Sequence, residues 1–271
     1  MRGAPSVTAW PSWHYFLSTG TLAVGKDADI VIVDDLKGFK VREVYIAGNL
    51  VAKDGRALFT PTPIHLEGVL FAQARTPEEF QIKHAGPKAK VRVIKVIEDQ
   101  VESYEEEAEL PVLDGIVQAD ISKDVLYLAV VNRYQQAPVA TAFVRGFGLK
   151  RGAIASTVAH DSHNIIAVGT DPGVLCSAIN KVSGQGGYHV TDGRSESSII
   201  LDVVGLMSTD TCAEVTSKVR SALEMLKGMG CKLPSPFTTL SFQSLLVVPE
   251  LKLSDKGLFD SRNMRFVDIL K

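Results

Sequence analysis

Seven consecutive apolar residues, Val125-Leu126-Tyr127-Leu128-Ala129-Val130-Val131, set the tightest limit on what this chain can fold into. A strand with no polar face is stable only where both faces are covered, so the run reads as a buried strand inside a layered domain. The segments around it fit that reading. Val91 to Ile97 alternates as a strand does, and Thr141–Val144, Ala153–Val158, Ile165–Val168 and Ile199–Val204 are further short strands. Two helices are predicted. In the first, Asp171 caps, Pro172 occupies the first turn, and Val174, Leu175, Ala178, Ile179 and Val182 share a face. In the second, Val215, Val219, Ala222, Leu223 and Leu226 form a stripe that Gly230 ends. The tail from Pro234 reads as extended. Val91 to Lys271 is therefore a mixed α/β domain, with the fold class α/β (α+β mixed).

The N-terminal part differs in character. Gly20 to Arg56 reads as a compact β element with strands at Ala28–Asp34 and on either side of a Gly48-Asn49 turn. Residues 59–89 contain Pro61, Pro63, Pro77 and Pro87 and read as a linker, with Thr76-Pro77-Glu78-Glu79-Phe80 a helical turn within it.

Composition excludes several function classes. Net charge is −2, from 29 basic and 31 acidic residues, which argues against a nucleic-acid partner. The run Glu105-Glu106-Glu107, with Glu102 and Glu109, reads as a solvated loop or helix end. Cys176, Cys212 and Cys231 are odd in number and widely spaced. They read as buried small apolar side chains in a reducing compartment, not as disulfides or a zinc site. No apolar stretch reaches the ~18 residues that span a bilayer. Met1 to Trp10 makes a poor secretory signal, so a cytoplasmic location is expected.

The segment richest in chemistry is His160-Asp161-Ser162-His163-Asn164, five polar residues between two apolar strands. It follows Arg145-Gly146-Phe147-Gly148-Leu149-Lys150-Arg151-Gly152, whose glycine spacing fits tight turns and neither a dinucleotide nor a phosphate loop. Side chains this close on one segment diverge, which disfavours Asp161, Ser162 and His163 as a nucleophilic triad. His160 and His163 could ligate a metal, but a catalytic metal takes about three protein ligands, so Asp161 or His189 would have to help. Substrate contact or proton transfer at a site built mainly by other residues suits a histidine beside a carboxylate. A turn whose polar side chains satisfy local backbone groups is the remaining reading.

Several strings resemble a known family. Gly25-Lys26-Asp27-Ala28-Asp29-Ile30-Val31-Ile32 is similar to the run that follows the catalytic barrel in the amidohydrolase superfamily. Arg145 through Asn164 resembles the signature of the adenine deaminase C-terminal domain. Gly205-Leu206-Met207-Ser208, Pro236 to Phe242 and Pro249 to Leu258 extend the match. The resemblance implies hydrolysis of adenine to hypoxanthine and ammonia, within adenine catabolism and purine salvage. It also implies a binuclear manganese or iron centre whose ligands begin with a His-x-His pair in the barrel. This sequence contains no His-x-His, so no metal is expected in this chain alone. A second departure is Leu201-Asp202-Val203-Val204-Gly205, where the family usually carries proline, and where an unpaired buried Asp202 would be costly.

The resemblance assigns residues 1–58 to the barrel's end and the C-terminal part of a β-sandwich, and 90–271 to the family's α/β domain, with the catalytic barrel missing. His160, Asp161 and His163 become the expected catalytic residues, with Ser162 and Asn164 contacting substrate. The implied partners are adenine, a separately encoded barrel subunit if the enzyme is split, and further copies of the chain, with no nucleic acid or membrane. The alternatives are a non-catalytic accessory or oligomerisation domain, one subunit of a split deaminase, and an independent metallohydrolase built on His160, Asp161 and His163.

Overall fold

The computed structural model describes residues 4–60, 62 and 73–271. The chain divides into two compact units, Met1–Pro63 and Ile64–Lys271. His65, Pro61, Pro63 and the middle of the segment read as linker lie outside the described residues.

The first unit has two short helices, α1 (Ala4–Val7) and α2 (Ala9–Tyr15), then a four-stranded antiparallel sheet: β1 (Ile30–Val33), β2 (Val41–Ile46), β3 (Asn49–Lys53) and β4 (Arg56–Ala57). The tight turns are Ala47-Gly48 and Asp54-Gly55, each with two successive positive φ angles, which matches the right-handed twist of the hairpins they close. The turn therefore falls one residue earlier than the Gly48-Asn49 turn expected from sequence, and Asn49 opens β3. Among the described residues of this unit only Ser12 is buried.

The second unit is built on a nine-stranded sheet. Its strands are β5 (Lys88–Val96), β6 (Ser103–Leu113), β7 (Ile116–Val117), β8 (Val125–Val131), β9 (Ala140–Arg145), β10 (Ala153–Ser156), β11 (Ile165–Gly169), β12 (Tyr188–Thr191) and β13 (Glu196–Ile199). They are ordered β13-β12-β10-β11-β8-β9-β5-β6-β7, and only the β5–β9 pair is parallel. The helices are α3 (Pro172–Gln185), α4 (Cys212–Gly228) and α5 (Pro236–Ser241), and a second sheet holds β14 (Leu251–Ser254), β15 (Gly257–Asp260) and β16 (Arg265–Phe266).

Strand β8 explains the layering. Leu126, Leu128 and Val130 enter one core with Ile154, Ile166, Leu226, Leu240, Leu251 and Leu253. Val125, Tyr127, Ala129 and Val131 enter a second core with Phe80, Leu175, Ile179 and Val182. Alternate residues of a strand face opposite sides, so α4, α5 and the β14–β16 sheet cover one face and α3 with Phe80 covers the other. Asp171 caps α3 by accepting from Val174 N at 2.9 Å. Pro77–Phe80 is a 3₁₀ turn with a Thr76/Glu79 capping box.

Five further expectations need correcting. The glutamate run is a strand: Glu105, Glu106, Glu107 and Glu109 lie in β6. They are held there by ion pairs to Arg92, Lys95, Lys90 and Lys88. The strand expected at Ile199–Val204 ends at Ile199, and Val204 sits in a turn at φ 55°. Asp202 is exposed and accepts from Thr209 N at 2.9 Å, so no buried carboxylate arises. Finally, the tail contains a helix and a hairpin, and Cys212 is exposed, whereas Cys176 and Cys231 are buried.

Candidate functional site

The His160–Asn164 segment lies in the connection between β10 and β11, at one end of the large sheet. Pairing of Ile165 with Val131 places Asn164 beside the residues that follow β8. Asn164 is buried, and its Oδ1 accepts from Arg133 N at 3.3 Å. Thr157, also buried, ties the start of the connection to two neighbours. Its Oγ1 donates to Gly205 O at 2.5 Å and accepts from Gly187 N at 2.7 Å.

His160 is fixed from the opposite side by α5 and the turn after it. Its ring stacks on Phe242 with centroids 4.7 Å apart and planes 5° from parallel. Nδ1 lies 3.0 Å from Ser241 Oγ, and Ser244 Oγ donates to His160 O at 3.2 Å. Asp161 and Ser162 are exposed, and Tyr134 OH donates to Ser162 O at 2.7 Å.

His163 is half-buried in the left-handed region at φ 51°, with its N–H on Ala159 O at 2.6 Å. Its Nδ1 is buried without a hydrogen-bond partner. Burial pushes its pKa below the usual histidine value, and the Arg133 guanidinium and His160 add to that, against the Asp161 carboxylate. The ring is therefore neutral at pH 7 and can accept or donate at either nitrogen, according to tautomer. Arg133 is 3% exposed, donates Nη1–H to Val204 O at 2.7 Å, and leaves Nε without a partner.

The five residues expected at the site are thus together, but they do not form a triad. Ser162 Oγ accepts from Asn164 N at 3.3 Å and is not engaged by His163. Nor do they fit a metal centre. The His160 and His163 rings are 6.2 Å apart and tilted by 54°, and His160 Nδ1 is spent on Ser241. His189 lies in β12 and is engaged elsewhere, with Nδ1 2.8 Å from Ser198 Oγ and Nε2 3.7 Å from the Glu196 carboxylate. Among the described residues no three His, Cys, Asp or Glu side chains gather as ligands. The donor set of the described residues does not suit a binuclear manganese or iron site.

Sequence reasoning missed Arg133, Tyr134 and the Ser241–Ser244 support. The Pro236–Phe242 string stood out by resemblance, yet nothing in its spacing tied it to His160, 81 residues away. The glycine turn behaves as expected: Gly146 N and Gly148 N both donate to the Asp124 carboxylate, and Arg145 pairs with Glu106. An open groove of about 1060 Å³ runs past Thr141, Lys256, Arg265 and Ile269 and includes none of residues 160–164. The polar loop rather than the groove is the better candidate, because it brings five polar side chains together and holds the unpartnered buried His163 Nδ1. Two exposed apolar residues adjoin this region: Tyr134 bonds through its hydroxyl to Ser162 O, and Val204 accepts from Arg133 through its carbonyl.

A family model described as the adenine deaminase C-terminal domain matches residues 100–265. The chain is 37% identical over 269 residues to an adenine deaminase of Methanosphaera stadtmanae, covering 98% of this chain and 50% of that protein. It is 42% identical over 272 residues to one of Methanothermobacter thermautotrophicus, with the same coverage. For one of Salinibacter ruber, the values are 40% over 260 residues, 95% and 47%. The chain spans about half the length of these relatives and corresponds to their C-terminal portion.

Proposed function

This chain belongs to the adenine deaminase C-terminal domain family, and we propose that it acts as the C-terminal half of a hydrolase converting adenine and water to hypoxanthine and ammonia. The observation that carries this reading is the polar loop itself. A half-buried His163 with an unpartnered Nδ1 stands beside an exposed carboxylate, Asp161, at the end of the large sheet. Such groups suit proton transfer to a departing amine, which general acid–base catalysis requires. His160, held by Ser241 and Phe242, positions the loop. Ser162 contacts substrate, and Asn164 acts from beneath by holding Arg133. Manganese or iron would sit on residues outside this chain. Residues 1–58 would contribute to the β-sandwich of the whole enzyme, and 90–271 would be the family domain. A role in purine salvage and a cytoplasmic location follow the same reading; among the described residues no helix is long and apolar enough to cross a membrane.

A second reading, an accessory or oligomerisation domain, draws on the exposed Tyr134, Val204, Met207 and Val247 and on a first unit with only Ser12 buried among its described residues. Exposed apolar clusters mark surfaces that meet another body. A separately encoded barrel subunit would meet the same surfaces.

Substitution separates the readings. In the Methanothermobacter relative, replacing the residues that align with Asp161 and His163 by Asn is expected to lower turnover roughly a hundredfold or more, with folding intact. Wild-type turnover in both variants would leave the accessory reading.

A further inference from the structure

The large sheet forks between β5 and β9. These strands pair only from Val93–Phe143 to Lys95–Arg145. Before that point the C-terminal tail takes the place of β9 along β5. Arg92 N donates to Ile269 O at 2.8 Å, Lys271 N donates to Lys90 O at 2.9 Å, and Val91 faces Leu270 in an antiparallel bridge. The first half of β9 stays paired with β8, through Val130–Ala140 and Ala129–Thr141. The open groove of about 1060 Å³ is lined by both arms of the fork, including Thr141 of β9 and Leu270 of the tail.

Each arm keeps a free strand edge. Along a strand, successive residues direct their N–H and C=O to opposite edges. Ile269 O and Lys271 N are spent on β5, so Leu270 between them directs its backbone groups away from β5. Lys90 and Arg92 face the tail, so Ile94, two residues on, faces β9 and bonds the neighbours of its partner Val144, which are Phe143 and Arg145. Thr141 shares their parity and faces the same edge, where β5 no longer meets it. Among the described residues no hydrogen bond reaches the backbone of Thr141 or Leu270 from that side. Unmatched donors and acceptors along a strand edge are a template for another extended chain.

The side chains of the groove decide which chain fits. Arg92, Lys256, Arg265 and Lys271 line it against two carboxylates, Asp255 and Asp268. Arg92 pairs with Glu105, and Lys271 with Glu105 and Glu107. Asp255 accepts from Asn132 Nδ2 at 2.8 Å. Lys256 and Arg265 are exposed and make no ion pair among the described residues; Arg265 reaches Asp260 only through its charge. Phe266, 51% exposed, adds apolar surface beside them. We propose that this groove binds an extended acidic segment of another polypeptide. That segment adds as a strand, with its backbone on the free edges at Thr141 and Leu270 and its carboxylates toward Lys256 and Arg265. Main-chain hydrogen bonds supply affinity in this mode of recognition, and side chains supply specificity. The proposal is independent of the deaminase reading. A free dicarboxylate would meet the same two cations, and the experiment distinguishes it.

The test titrates the ¹⁵N-labelled 271-residue chain with a short synthetic peptide that alternates glutamate and valine. The comparators are the same peptide with N-methylated valine amides, a version with lysine in place of glutamate, and succinate. Wild type is compared with the double variant Lys256→Glu/Arg265→Glu, and circular dichroism confirms that both are folded. The expected result is a saturable shift of the Thr141 and Leu270 amides by the acidic peptide. Binding should weaken on the order of tenfold in the double variant, because exposed ion pairs are individually modest, and it should fall with added salt. The N-methylated and lysine peptides should not bind at matched concentration. If the double variant fails to fold, the peptide series on wild type still decides. No shift at millimolar acidic peptide would overturn the groove as a strand site. An N-methylated peptide that binds as well as its parent would overturn strand addition. Equal binding by the double variant, or by the lysine peptide, would overturn the acidic partner. Succinate giving the same shifts would assign the groove to a free anion and overturn the polypeptide.

Discussion

Thr157→Val isolates the hydroxyl that joins the polar loop to its neighbours. Valine keeps the shape of the buried side chain and removes only the hydroxyl. Two buried backbone groups then lose a partner: Gly205 O, now bonded at 2.5 Å, and Gly187 N–H, now bonded at 2.7 Å. An unmet buried donor or acceptor costs about 1–3 kcal/mol. The sum is about 2–6 kcal/mol, with the lower end applying if the Gly205 turn relaxes toward water. Thr157→Ser keeps the hydroxyl and loses one methyl group, for about 1 kcal/mol. Both tryptophans, Trp10 and Trp13, lie in the first unit, so their fluorescence does not report on this one. Hydrogen exchange of the β10 and β11 amides is the assay of choice. The loss should also be felt at Arg133, because Val204, whose carbonyl holds it, precedes Gly205. Thr157→Val and Thr157→Ser with equal stability, or a valine variant within about 0.5 kcal/mol of wild type, would refute the assignment of this hydroxyl as a structural tie.

Two further perturbations test other parts of the account. Lys271 and Lys90 beside Glu107 pull its pKa down to about 2, so the folded form keeps the carboxylate ionised where the unfolded chain would protonate it. That stabilisation is present above the ordinary glutamate value and is lost as pH falls from about 4.5 toward about 2, and Glu107→Gln should flatten the acid limb of stability against pH. Gly152 has φ +81°, and a Cβ there would stand 2.1 Å from Thr191 O, so Gly152→Ala should lower the melting temperature well beyond the effect of a surface substitution.

How far the sequence reveals this fold depends on where each element gets its stability. The β8 run has no polar face, and α3 carries both its cap and its stripe, so both are legible locally. The β6 strand is not, because its partners lie in β5. Glu105, Glu107 and Glu109 repeat at the strand period of two, and Arg92, Lys90 and Lys88 meet them diagonally across the ladder. That period was a usable signal. The density of charge concealed it. The polar loop was visible as a break between apolar strands, and its placement at the sheet end follows from the β10–β11 connection. Arg133 was invisible for a different reason. Nothing beside it in sequence shows that Val204 and Asn164 will close over it.

The central claim is that this chain functions as the C-terminal half of an adenine deaminase. It is tested most directly by putting the chain in place of the matching half of the Methanothermobacter protein and following ammonia release from adenine, with manganese or iron supplied. The account predicts turnover by the chimera and none by the 271-residue chain alone. A folded chimera without turnover, or release of ammonia by the chain alone at the chimera's rate, would contradict it.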